Sequence, residues 1–282
     1  MKILITGASG FSARYLKELL GRDPDAELYL TDLVESGDRN ILRCDLTQSG
    51  QVEGLIEEVR PARIFHLVGS FTNHYETDYS VNVLSTKNIL DALLELDLKC
   101  RMLLIGSASE YGLVQSGDNP VAETCPLRPV RIHGLTKVYQ TMLMDFYCRV
   151  YQMDLVMARV FNLYGDDRSI SNRLFLGRVY EQIDKIKDGK LSGLKVGNLE
   201  ARRDYIDVED AVRCYVKIMD KGKAGEVYNV GSGSPVKMRD LLIRILRQEG
   251  LDESVVEEAS PSVLDRTDIP EIFADMRKFN TL

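Results

Sequence analysis

Short apolar runs rich in β-branched residues recur along the chain, at KILIT (2–6), ELYLT (27–31), RIFHLV (63–68), MLLIG (102–106) and DLVMARV (154–160). Between them the apolar positions return every three or four residues over 11–21, 47–58, 79–96 and 134–150, the period of a helix with a buried face. Strands that are apolar throughout, rather than alternating, belong to a parallel sheet covered on both sides. The pattern therefore predicts an α/β fold built on a doubly wound parallel sheet.

Beyond about residue 165 the alternation loosens. Polar stretches at 165–173 and 188–205 read as loops, EVYNV (226–230) as a short strand and 236–248 as a helix. The organisation expected is a first domain over 1–165 and a smaller α/β lobe over 166–282, with 207–232 returning to the first. A cleft should open between them at the carboxyl ends of the strands.

Composition narrows the function classes. A chain of 282 residues, 44% hydrophobic and 28% charged, can bury a sizeable core, which excludes a disordered chain. A net charge of −7 supplies no global basic field, so no nucleic acid polymer is expected as partner. No run approaches the roughly 20 apolar residues of a membrane span, and MKILITGASG enters a strand and a glycine turn without the pattern of a secretory leader. A cytoplasmic protein is expected. Cys44, Cys100, Cys125, Cys148 and Cys214 lie far apart and read as reduced thiols, and His66, His74 and His133 form no ligand cluster, so no metal is expected.

The first turn carries the first chemical signal. Gly7-Ala-Ser-Gly10-Phe11-Ser-Ala13 follows one strand and opens a helix, where free backbone N–H groups and the helix dipole receive a dinucleotide pyrophosphate. Gly7 permits the tight turn, Gly10 the close approach of phosphate, and Ala13 the packing of helix on strand. Asp32 ends the second strand about 20 residues on, where a carboxylate accepts the adenosine ribose hydroxyls and repels a 2′-phosphate. NAD is expected ahead of NADP, with a helix N-cap or turn as the competing role for Asp32. Asp45 and Leu46, after a short third strand, could bracket the adenine.

Taken in order, TGASGF (6–11), CDL (44–46), VNVLSTKNILDA (81–92), GSASEYG (106–112), RVFNLYG (159–165), RRDYIDVEDA (202–211), YNVGSG (228–233) and DRTDIP (265–270) resemble the extended short-chain dehydrogenase/reductases that act on nucleotide sugars. KVGNLEARRDY (195–205) is most similar to the reductases of GDP-4-keto-6-deoxymannose within that group. The resemblance implies a Rossmann domain, a nicotinamide cofactor and a nucleotide-diphosphate sugar as substrate. It also implies a homodimer formed through helices 79–96 and 134–150, which carry Leu84, Ile89, Leu93, Leu143, Phe146 and Tyr147.

Members of this family place Tyr-x-x-x-Lys on one helix face. The lysine holds the nicotinamide ribose and lowers the tyrosine pKa, while a serine from the fifth strand binds the sugar oxygen. Here Lys137 and Ser107 match, but His133 stands at the tyrosine position. Either its imidazole transfers the proton, with a pKa pushed down by Lys137, or it fills the space of the longer phenol, where a misplacement of ~1 Å can cost ~100-fold in rate. Sugar dehydratases carry acids where this chain has Ala108 and Ser109, and Glu110 comes one place too late, reading as structural or solvated. Keto reduction is thus expected ahead of dehydration, with Ser109 placed toward the substrate.

The same resemblance puts Asn162 near the substrate diphosphate and Arg203 and Arg266 on phosphate or nucleotide, with Asp268 on a ribose hydroxyl. Domain-spanning salt bridges are the competing role for the two arginines. The reading is reduction of a nucleotide-diphosphate 4-keto-6-deoxy sugar, GDP-linked by preference. A nucleotide-sugar epimerase and a non-catalytic protein that only binds both ligands are its rivals.

Overall fold

The structure, a computed structural model, describes residues 1–33, 41–165, 170–171, 174–258 and 269–282. Its strands are β1 (Lys2–Thr6), β2 (Glu27–Asp32), β3 (Ile41–Arg43), β4 (Arg63–His66), β5 (Arg101–Ser107), β6 (Leu155–Val160), β7 (Asn162–Tyr164), β8 (Leu194–Val196), β9 (Arg202–Asp207), β10 (Val227–Val230), β11 (Pro235–Lys237), β12 (Val256–Glu258) and β13 (Glu271–Ile272). The helices are α1 (Phe11–Leu20), α2 (Ser49–Val59), α3 (Tyr75–Tyr79), α4 (Ser85–Glu95), α5 (Ile132–Tyr151), α6 (Phe175–Lys187), α7 (Val208–Lys221), α8 (Met238–Gln248) and α9 (Arg277–Asn280). A wider π-helical turn, Ser80–Leu84, joins α3 to α4.

Seven strands form one sheet in the order β10-β6-β5-β4-β1-β2-β3, every pairing parallel. Successive side chains of a strand point to opposite faces, so a sheet covered on both sides must be apolar at every position. Ile3 and Ile5 pack with Leu103 and Val156 against α1 and α7, through Ala13, Leu16, Ala211 and Tyr215. Leu4, between them, packs with Ile64, Met102 and Met157 against α2, α4 and α5, through Ile56, Ile89 and Tyr147. The strand order reverses between β1 and β4, which opens a crevice at their carboxyl ends.

A second core joins α6, β8 and α8 through Leu176, Ile183, Leu194, Leu242 and Leu246. One sequence expectation fails here: the stretch 188–205 is not a loop, because it contains β8 and most of β9. Its polar appearance comes mostly from exposed residues such as Lys190, Lys195, Glu200 and Arg202, and at one position from an inward-facing charge. Asp204 is fully buried, and its carboxylate accepts from Ser232 N (2.7 Å), Ser232 Oγ (2.7 Å), Gly233 N (3.0 Å) and Ala274 N (3.0 Å). Hydrogen bonds from two other segments, 232–233 and Ala274, offset the burial of that charge, so an aspartate occupies a core position of the strand. Most of 165–173 lies outside the described residues.

Candidate active site

The turn after β1 has the form a dinucleotide requires. Gly7 adopts φ +69°, and a Cβ there would lie 3.0 Å from Val68 N, so both the conformation and the neighbouring strand end demand glycine. Gly10 caps α1 with no side chain over the helix N-terminus. Ala13 is buried between helix and sheet. Phe11 starts α1, but its ring packs against the second core and edge-on to Tyr15, with centroids 5.7 Å apart.

Asp32 closes β2 beside this turn. One carboxylate oxygen accepts from Ser9 N (3.0 Å) and Ser9 Oγ (2.5 Å), and the other from Leu33 N (2.7 Å). The acid therefore fixes the glycine turn. Ser9 escaped the sequence reading, since a serine between two glycines carries no signal of its partner. Asp45 accepts from Thr47 N (2.9 Å) and Thr47 Oγ1 (2.7 Å), and buried Leu46 accepts from Asn88 Nδ2 (2.9 Å) at its carbonyl.

Ser107 ends β5 and caps the short turn Ala108–Glu110. Its N–H donates to Glu110 Oε1 (2.8 Å), and its Oγ accepts from Ser109 N (3.2 Å). Glu110 is fully buried, so of the two roles left open by the sequence it has the structural one. The first turn of α5 sits directly on Ser109: a Cβ at Gly134 would come 2.4 Å from Ser109 O. Only glycine lets α5 approach the serine turn this closely.

Lys137 lies one helical turn beyond His133 and is almost fully buried, its Nζ donating to Ile105 O (2.7 Å) and Gln140 Oε1 (3.0 Å). Burial lowers its pKa to about 8, with Glu110 acting in the opposite sense. His133 donates from Nδ1 to Ser70 O (2.8 Å), and its ring meets Phe71 edge-on at 6.0 Å. Its pKa is lowered to about 4, by burial first and by the Lys137 cation second. The sequence identified the second cause and missed the first, because burial depends on the loop 70–73 that closes over the ring.

Asn162 in β7 donates from Nδ2 to Asp204 O (2.8 Å). Arg203 in β9 donates from Nη1 to Arg202 O (2.9 Å) and Pro270 O (3.4 Å). Arg266 and Asp268 lie outside the described residues. Among the described residues there is no cluster of three or more His, Cys, Asp or Glu able to hold a metal ion, and no helix long and apolar enough to cross a membrane.

The profile of one protein family, described as the NAD dependent epimerase/dehydratase family, matches residues 3–231. The chain belongs to that family. It is an enzyme of the extended short-chain dehydrogenase/reductase type, as the motifs implied. Among curated relatives, GDP-6-deoxy-D-mannose reductase of Pseudomonas aeruginosa is 28% identical over 86% of this chain and 78% of its own length. GDP-6-deoxy-D-talose 4-dehydrogenase of Aggregatibacter actinomycetemcomitans is 26% identical over 99% of this chain and 90% of its own. The same family fold recurs in the solved structure of RMD from Pseudomonas aeruginosa complexed with NADPH, with TM-score 0.83 and 22% identity over 100% of this chain and 92% of that one. It recurs too in the UDP-glucose 4-epimerase of Thermotoga maritima with UDP-glucose, with TM-score 0.86 and 22% identity over the same shares.

Proposed function

We propose that this family member interconverts a hydroxyl and a keto group on a nucleotide-diphosphate 6-deoxy sugar, at carbon 4 and with GDP as the preferred nucleotide. The observation that carries the reading is the buried Lys137 cation standing one helical turn from residue 133, with α5 seated on the Ser107 turn. The relatives that act on GDP-6-deoxy sugars support the substrate class.

A nicotinamide dinucleotide fits the crevice, since the Gly7 and Gly10 turn leaves backbone open at the N-terminus of α1 where a Cβ would fill it. When bound, it exchanges a hydride with the sugar carbon. The protein residues do the rest. Gly7, Gly10 and Phe11 would border the pyrophosphate, Asp32 the adenosine ribose, Asp45 and Leu46 the adenine, and Lys137 the nicotinamide ribose. Ser107 would hydrogen-bond the sugar oxygen and His133 handle its proton, with Ser109 beside the sugar. Asn162, Arg203, Arg266 and Asp268 would hold the nucleotide diphosphate. NAD is preferred over NADP on the strength of Asp32.

We also propose that residues 1–165 with 207–232 carry the cofactor and the remainder the sugar nucleotide. Pairing of β10 with β6 and packing of α7 on α1 support this division. A homodimer through α4 and α5 is supported by the outward apolar face of Met142, Phe146 and Val150. Five free cysteines accord with a cytoplasmic setting.

Titration calorimetry with NAD+, NADP+ and GDP-mannose, followed by turnover of a GDP-4-keto-6-deoxyhexose and its 4-hydroxy counterpart, tests the reading. A change in nicotinamide absorbance matching sugar conversion is the expected result. Conversion without net absorbance change would make the protein an epimerase, and binding without conversion a non-catalytic binder.

A further inference from the structure

His133 is held in one orientation by residues from outside its helix. The buried Asp78 carboxylate accepts from Ser70 Oγ (2.7 Å), Thr72 N (2.9 Å) and Thr72 Oγ1 (2.7 Å) on one oxygen and from Asn73 N (2.9 Å) on the other. Asn82, also buried, grips the Ser70 main chain from the far side, Oδ1 accepting from Ser70 N (2.7 Å) and Nδ2 donating to Ser70 O (2.8 Å). The Ser70 carbonyl is thereby fixed 2.8 Å from His133 Nδ1. A carbonyl oxygen only accepts, so the proton of the ring lies on Nδ1. Nε2 then carries a lone pair, and it has no hydrogen-bond partner among the described residues.

Building on the nicotinamide-dependent reading above, we infer that His133 is a proton acceptor: its Nε2 takes the hydrogen of a sugar hydroxyl, so the site is set to begin from the alcohol rather than from the ketone. The O–H bond breaks and its proton passes to Nε2. The electron pair left on oxygen becomes the second C–O bond as the carbon's hydride leaves to the oxidised nicotinamide, and the imidazolium returns its Nε2 proton to water. Donation to a ketone would require the ring to be charged beforehand. Burial and Lys137 on the same helix oppose that charge, and Asp78 from α3 and the Ser70 carbonyl favour it, with a resulting pKa of about 4. A tyrosine, whose single oxygen both donates and accepts, carries no such directional bias.

The tautomer is directly observable in protein labelled with ¹⁵N-histidine, the His133 signals being assigned by their loss in His133→Gln. The expected result at pH 7.5 is a neutral ring with a protonated Nδ1 and a bare Nε2, unchanged down to pH 5.5. An imidazolium at pH 7.5, or a proton on Nε2, would overturn the inference. With NAD+ and a GDP-6-deoxyhexose, kcat/KM for oxidation should stay level from pH 6 to 7, below the range where Lys137 loses its charge, and fall ~100-fold in His133→Phe. A rate that rises from pH 6 to 7, or a phenylalanine variant as fast as the parent, would count against it. If calorimetry finds no binding of NAD(H) or of GDP-sugar, the nucleotide-sugar reading fails together with the role built on it. If both bind and the tautomer is reversed, only the proton-acceptor role fails.

Discussion

Glu110 and Arg159 form an ion pair inside the protein, Arg159 Nη2 lying 2.9 Å from Glu110 Oε2 with side chains 2% and 0% exposed for arginine and glutamate. The pair joins three elements of the site. Glu110 also accepts from Ser107 N (2.8 Å) and from Thr141 Oγ1 in α5 (2.7 Å), while Arg159 in β6 donates to Tyr111 OH (3.2 Å) and lies over the Tyr111 ring at 4.8 Å. Removing one partner strands a buried charge. Glu110→Ala should therefore cost about 3 to 5 kcal/mol, read as a lower midpoint in urea unfolding. Glu110→Gln, which keeps the oxygen facing Ser107 N, should cost less, and equal midpoints for the parent and the alanine variant would refute the role assigned to the pair.

The carboxylate of Asp32 gives a second expectation. NAD(H) should bind more tightly than NADP(H), because a 2′-phosphate would approach that acid. Asp32→Ala should narrow the gap in calorimetry. It should also loosen the glycine turn, since Ser9 N and Oγ lose their acceptor. A clear NADP(H) preference in the parent protein would remove the basis of the assignment.

Arg203 and Arg266 are expected to hold the substrate diphosphate. Arg203→Ala and Arg266→Ala should each weaken GDP-sugar binding by about 1.5 to 3 kcal/mol, the range of a hydrogen bond to a charged group, with cofactor affinity nearly unchanged. Equal loss of both ligands, or a collapse in melting temperature, would point to a salt bridge instead.

Acid stability should report two histidines, the buried His66 and the half-buried His133. Burial, with Lys137 second, lowers His66 to about 3 and His133 to about 4, from 6.5 in each case. Between those values and 6.5 the unfolded chain binds more protons than the folded one, so unfolding free energy falls as pH drops from about 6.5 toward 4. Asp78 acts lower still: its burial opposes ionisation, but hydrogen bonds from Ser70, Thr72 and Asn73 outweigh that and hold its pKa below 3.8, so its contribution is lost only as pH falls past that value. Urea midpoints measured from pH 7 to 4 should decline in the parent and decline less in His133→Phe.

The sequence by itself determined the sheet and the glycine turn after its first strand. KILIT matches β1 residue for residue, and DLVMARV and EVYNV overrun β6 and β10 by a single residue, because short, mainly apolar, β-branched runs alternating with helical patterns fit strands buried on both faces. Gly7, Asp32 and the spacing of residue 133 to Lys137 were likewise legible, since each is a local rule of turn, strand end or helix face. What the sequence could not deliver was anything decided by a distant partner. Asp204 reads as a loop residue until Ser232, Gly233 and Ala274 fold around it, and Glu110 reads as either structural or solvated until Arg159 arrives from β6. The proton of His133 is the clearest case, because its position on Nδ1 is dictated by the Ser70 carbonyl, 63 residues earlier in the chain and fixed by Asp78 and Asn82. Periodicity records which face of an element is buried, whereas the protonation of a buried group depends on the polar atoms that tertiary packing sets against it.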